Sequence, residues 1–160
     1  MGNFFTLELL VKLIASFFGS AAFAVVFNSN KRHVIFGALN GLFTYFVYYA
    51  TFYFLKSAFV AALLSTAIAA AYAEFMARKR RAPSSVFLIP GVIPTVPGSN
   101  LYFFMRNILE KNFSVALTEL GVALSIALGI ASGTVGVSIV WGIISDKVSK
   151  KSYSRRESNS

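Results

Sequence analysis

Five long stretches of this chain carry no charged side chain: residues 13–30, 34–55, 57–73, 82–105 and 120–145. A helix needs ~20 apolar residues to cross a hydrocarbon core of ~30 Å. Each stretch is near that length, and 57–73, the shortest, must recruit its flanks. The chain has 160 residues, 56% hydrophobic and 13% charged, and a soluble domain of that size cannot hide so much apolar surface. The pattern predicts an all-α integral membrane protein with about five transmembrane helices. The net charge of +9 then reads as basic loops at the cytoplasmic face, and no nucleic-acid partner is expected.

The basic residues also count the crossings. They cluster at Lys31–Arg32, at Arg78–Arg81, and in a tail holding Lys147, Lys150, Lys151, Arg155 and Arg156. The intervening loops hold only Lys56, Arg106 and Lys111. Loops one and three and the tail therefore belong on the cytoplasmic side. That requires residues 82–105 to cross fully, with the N-terminus outside and the C-terminus inside. Residues 1–146 read as one membrane unit, and 147–160 as a basic, disordered cytoplasmic tail able to touch anionic headgroups. The first span lacks a basic n-region and is expected to be retained. "MGNFFT" matches a myristoylation pattern formally, although a multi-span protein needs no lipid anchor.

One of the five stretches contradicts its own helicity. "FLIPGVIPTVPGSNLYFF", Phe87–Phe104, holds Pro90, Pro94 and Pro97 with Gly91 and Gly98 between them. Proline removes a backbone N–H and clashes with the preceding turn. In hydrocarbon each unsatisfied group costs several kcal/mol, so such backbone survives only where protein buries it or it lines a wet cavity. This is the pattern of the discontinuous helices of secondary transporters. There, unwound carbonyls hold cations and a half-helix N-terminus holds an anionic group. The candidate substrate-binding residues are Pro90, Gly91, Pro94, Thr95, Pro97 and Gly98, with Ser99 or Asn100 capping the helix that follows. A substrate carboxylate is the natural ligand. A plain proline kink or a re-entrant structural element is the other reading.

The same array, following "RKRRAPSSV", resembles the signature of the threonine/serine exporter family, in its small single-half type of subunit. The matching positions are Pro90, Gly91, Ile93, Pro94, Val96, Pro97, Gly98 and Tyr102, with Arg78–Pro83 as the family-like basic loop. The resemblance covers residues 1 to about 146. It implies export of small hydrophilic metabolites from bacterial or archaeal cells, typically threonine and serine. It also implies proton coupling and an inner or plasma membrane location. Some two-subunit members look associated with dicarboxylates such as succinate. Larger relatives carry two membrane halves, so a single half implies a second membrane subunit with the complementary half. Five crossings are odd, so two such halves have inverted topology.

Other polar residues have blander readings. Glu119 opens the last span and is the proton-coupling candidate, because an intramembrane carboxylate is functional by default; an interfacial position is the alternative. Glu8 with Lys12, and Glu74 with Arg78, are i,i+4 pairs expected at the two interfaces. Asn40 and Thr44 are expected to bond a neighbouring helix, with the substrate as the alternative partner. His33 is expected to be solvated. Small residues recur at i+4 in Gly121, Ser125, Gly129 and Gly133, in Ala61, Ser65, Ala69 and Ala73, and in Gly37 and Gly41. These are seams for helix contact. A homo-oligomer is left open. The chain has no cysteine and one histidine, so neither a metal nor a cofactor is expected. No hydrolase, zinc-protease or phosphate-loop motif appears, and no enzymatic activity is expected. A non-transporting membrane scaffold or assembly subunit is the alternative function.

Overall fold

The structure, a computed structural model, describes residues 7–27 and 29–157, with side chains as far as residue 143. The "MGNFFT" pattern and residues 158–160 lie outside the described residues. The described chain forms six α-helices and no strand: α1 Leu7–Val26, α2 Lys31–Leu55, α3 Ala58–Arg80, α4 Ser85–Val92, α5 Gly98–Leu109 and α6 Phe113–Glu157. A 3-10 turn, Ile93–Thr95, stands between α4 and α5. The first three helices and the Phe113–Ile143 part of α6 are each long and apolar enough to cross a membrane. Helices α4 and α5 are bent by 45° and make a fifth crossing when counted as one span. The fold is therefore that of an all-helical multi-pass membrane protein. Helix α3 reaches 23 residues by taking in Glu74–Arg80, which brings it to ~35 Å. The backbone of α6 stays helical to Glu157, where composition suggested a disordered tail.

Short turns join the helices. The side chain of Asn30 accepts from Arg32 N at 3.2 Å to open α2. Ser57 Oγ accepts from Val60 N at 3.5 Å to open α3. The turns after α2, α3 and α5 are made by Lys56, Arg81 and Lys111 with φ of 54°, 52° and 59°. Glycine usually takes this left-handed position. A basic side chain brings a different benefit there, a positive charge beside the negative end of the helix dipole.

Small residues let the helices approach. A Cβ on Gly129 would come within 2.6 Å of Phe59 O and 2.8 Å of Ala62 Cβ, and one on Gly133 within 2.5 Å of Leu63 O. Helix α6 thus lies backbone to backbone on α3 at these two glycines, the contact that drives association where lipid removes any hydrophobic gain. The expected seam does not extend further out: nothing stands within 4 Å of a Cβ on Gly121. At the opposite end Phe87 is wholly buried in the hollow left by Ala73 and Ala77 of α3, with Phe36 and Met76 around it. His33 meets the Phe87 ring edge-on at 5.3 Å and is half-buried, so it is not the solvated loop residue expected. Arg78 lies over the Trp141 ring at 5.0 Å and ties this end of α3 to α6.

Candidate functional site

The interruption of the fourth span is narrower than its prolines suggest. Helix α4 runs through Pro90 and Gly91 to Val92, and only Val96 and Pro97 leave helical geometry. Most of its backbone is satisfied locally. Val96 N donates to Ile93 O at 3.2 Å, and Gly98 N donates to Val96 O at 2.8 Å. With Pro97 at φ −77°, ψ 49°, that second bond closes an inverse γ-turn. Thr95 is buried, and its Oγ1 donates to Val92 O at 2.7 Å. Thr95 therefore serves the turn itself. Pro97 holds the N-cap position of α5, and no side chain caps that helix. This corrects the expectation for Ser99 and Asn100. Ser99 is exposed, and Asn100 Nδ2 instead donates to Glu119 Oε2 at 2.8 Å, joining α5 to α6.

The first half of the array is packed into protein. Asn40 is 1% exposed, and its Nδ2 donates to Ala69 O at 3.2 Å and to Phe87 O at 3.0 Å. One amide therefore pins α2 to both α3 and α4. Thr44 Oγ1 turns back to Asn40 O at 2.7 Å, so it bonds its own helix and not a neighbour. Gly91 lies beneath the Asn40 side chain, whose Cγ would be 2.6 Å from a Cβ at position 91. Gly37 faces the Pro90 ring at 3.3 Å from its Cβ position. Because Pro94 has no N–H, the Pro90 carbonyl has no i+4 donor. That oxygen faces Gly41, at 3.3 Å from the Cβ position. The glycines of α2 are what allow a helix to lie so close to the bared carbonyl.

Two cavities follow one another along the groove between α1 and the fourth span. The larger, about 270 Å³, is bounded by Lys12, Ser16 and Ser20 of α1, Tyr45 of α2, and Ile93 and Pro94. The smaller, about 150 Å³, lies beyond Pro90 between Phe27, Ser29, Val86 and Ile89. Pro90, which packs on Gly37, edges the smaller cavity, and Pro94, four residues on, edges the larger. Of the residues expected to bind substrate, Pro94 lines the larger cavity and Pro90 the smaller one. Gly91, Thr95, Pro97, Gly98, Ser99 and Asn100 line neither. Glu119 is half-buried at its bond to Asn100 and also lies away from both.

Lys12, Ser16 and Ser20 line the larger cavity, and sequence reasoning gave them no part in a site. The signal was present: Lys12, Ser16 and Ser20 recur every fourth residue, which puts one polar stripe on an otherwise apolar helix. Ser16, Thr44, Thr66, Ser125, Ser132 and Ser138 each donate to the carbonyl four residues back. Ser20 does not. It is wholly buried and its Oγ has no hydrogen-bond partner, a condition costing about 1–3 kcal/mol. Among the described residues no group of three or more His, Asp or Glu side chains is placed to hold a metal.

Helices long and apolar enough to cross a membrane, with one bent pair among them and two cavities against α4 and the turn that follows it, give the class: a multi-pass membrane protein. The comparisons with known proteins give the family. The family model described as "Threonine/Serine exporter, ThrE" matches residues 12–140. A protein of Corynebacterium glutamicum named "Threonine/serine exporter" is 30% identical over 124 residues, which are 78% of this chain and 25% of that protein. The chain belongs to the threonine/serine exporter family, a family of transporters and not of enzymes. It spans about a quarter of the length of the curated relative it matches. No solved structure matches it.

Proposed function

We propose that the chain is a membrane subunit of a secondary exporter that moves threonine, serine or a related small carboxylate out of a prokaryotic cell. The observation that carries this reading is the pair of cavities along the α1 groove, one edged by Pro90 and the other by Pro94. Each abuts the fourth span, and together they mark a path along the α1 groove that one local closure interrupts. Movement of the fourth span against α1 exchanges access between the two faces, as gating of one bundle against another does around the broken helices of other transporters. Residues 1–146 form the transporting half, N-terminus outside and C-terminus inside, and a second subunit supplies the complementary half. The proton gradient drives the cycle, with Glu119 as the coupling carboxylate.

The test is retention of radiolabelled threonine, serine and succinate in cells with and without the chain. Loss of the chain should raise retention of at least one of them. Unchanged retention of all three rejects the proposal. The scaffold reading has one observation in its favour: the Asn40 clamp shows that the kink serves packing as well. A scaffold predicts normal efflux from a chain whose larger cavity has been filled by Gly19→Leu. The exporter reading predicts its loss.

A further inference from the structure

The ion pairs among the described residues, Glu8 with Lys12 and Arg106 with Glu110, both lie at the end of the bundle where α1 starts and α5 stops. The opposite end is built differently. Helix α2 starts there with Lys31 and Arg32, and α3 stops there before Arg81. Helix α6 passes Trp141 and runs on through Lys147, Lys150 and Lys151. Two contacts draw these helices together: Arg80 lies over the Phe36 ring of α2 at 4.3 Å, and Arg78 over the Trp141 ring of α6 at 5.0 Å. Arg32 stands one turn before Phe36 on the same face of α2. Packing thus brings an arginine of α3 to within a turn of an arginine of α2. Lys31, Arg32, Lys79, Arg80 and Arg81 are all exposed, and no carboxylate among the described residues pairs with any of them. Glu74, half-buried further into α3, does not reach them. Like charges held together repel, so this end has a use for a counter-charge from outside the chain.

We propose that this end of the bundle binds the headgroup of an anionic phospholipid, with Arg32 and Arg80 on its phosphate. A guanidinium presents its N–H groups as a fork that matches phosphate oxygens. The surroundings select a lipid over a free anion. Ile35, three residues after Arg32, and Phe75, four residues before Lys79, are both exposed and lie further along the membrane-crossing parts of α2 and α3. Cations at the helix ends with apolar side chains one turn deeper meet both parts of a phospholipid, its headgroup and its acyl chains. A free phosphate engages the cations alone. The binding does not depend on transport and stands whether or not the chain exports anything.

Trp141 is the only tryptophan of the chain and lies beneath Arg78, so its fluorescence reports on this end. The full chain is reconstituted in bilayers of phosphatidylcholine mixed with phosphatidylglycerol, with one lipid or the other brominated on its acyl chains. Quenching of Trp141 then measures which lipid is held beside it. Phosphatidylglycerol should be preferred about tenfold or more at low salt. The preference should shrink as ionic strength rises. Arg32→Gln and Arg80→Gln should each reduce it about fivefold. Arg80→Lys, which keeps the charge, should restore most of it. Lys56→Gln, at the other end of the bundle, should leave it unchanged. Circular dichroism of each variant checks that the helices are retained, and Arg32→Gln disturbs no ring contact of Arg80. Equal quenching by the two lipids in the parent chain overturns the proposal. So does an undiminished preference when Arg32→Gln and Arg80→Gln are combined. Inorganic phosphate added at matched ionic strength should not displace the lipid. If it abolishes the preference, the site is one for a free anion and the lipid assignment is wrong.

Discussion

The side-chain amide of Asn40 stands over the backbone of Gly91, with no room between them for a methyl group. Its two N–H bonds reach carbonyls of α3 and α4. Asn40→Ala removes both and leaves a void above Gly91. We expect a loss of about 1–2 kcal/mol, the upper range for hydrogen bonds between membrane helices. Unfolding of the purified chain by titration with a denaturing detergent measures it. Gly91→Ala should destabilise by a similar amount from the opposite side of the contact.

The two ends of the α6 glycine row should respond in opposite ways. Gly133→Ala drives a methyl onto the Leu63 carbonyl, 2.5 Å away, and backbone cannot step aside. About 1–3 kcal/mol of stability should be lost. Gly121→Ala meets nothing within 4 Å and should stay within about 0.5 kcal/mol of the parent. The same unfolding titration compares them, and equal losses at both sites would contradict the packing described.

Pro94→Ala returns an N–H to the position opposite the Pro90 carbonyl and lets the helix continue. Membrane insertion should be normal and efflux should fall sharply, by about tenfold or more if the larger cavity is the route. Gly98→Ala is the matched control, because nothing lies within 4 Å of a Cβ there. Its efflux should stay near the parental rate.

Glu119→Gln keeps an oxygen that can accept from Asn100 and removes the titrating group. The tie between α5 and α6 should survive, while dependence of efflux on an imposed pH gradient should vanish. Efflux that keeps its full pH-gradient response would assign coupling to another residue.

The native chain has no cysteine, so single engineered thiols report sidedness. Lys111→Cys should react with an impermeant reagent added outside intact cells. Lys79→Cys should react only after permeabilisation. The reverse pattern would overturn the orientation inferred from the basic clusters.

Much of the architecture is legible in the sequence because bilayer physics leaves so few solutions. Charges bracket each span, and α3 takes in Glu74–Arg80 as its short uncharged run requires. The placement of individual polar groups is less legible. Asn40 bonds its neighbours as its burial in an apolar run suggests. Lys12 reads as a surface pair with Glu8, and that pair exists, yet the same side chain also lines a cavity. Which face of α1 meets the fourth span is a property of packing and not of α1 itself. Asn100 has the chemistry of a cap, but Pro97 and the γ-turn start α5 without one, which frees its amide for Glu119. The glycine row continues past its useful length because Gly121 has the same spacing as Gly129 and Gly133 but faces a cavity of about 570 Å³ that separates it from the α2–α3 turn.

No residue of α5 is buried, and the described polar tie between this helix and the rest of the chain is Asn100 to Glu119 on α6. Below the γ-turn, Asn40, Gly37 and Gly41 hold α4 fast. The α4–α5 pair is therefore an elbow with a forearm clamped to α2 and an upper arm laid on α6. A shift of α6 reaches α5 directly through Asn100 and Glu119, and reaches α4 only by way of α3 and the Asn40 clamp.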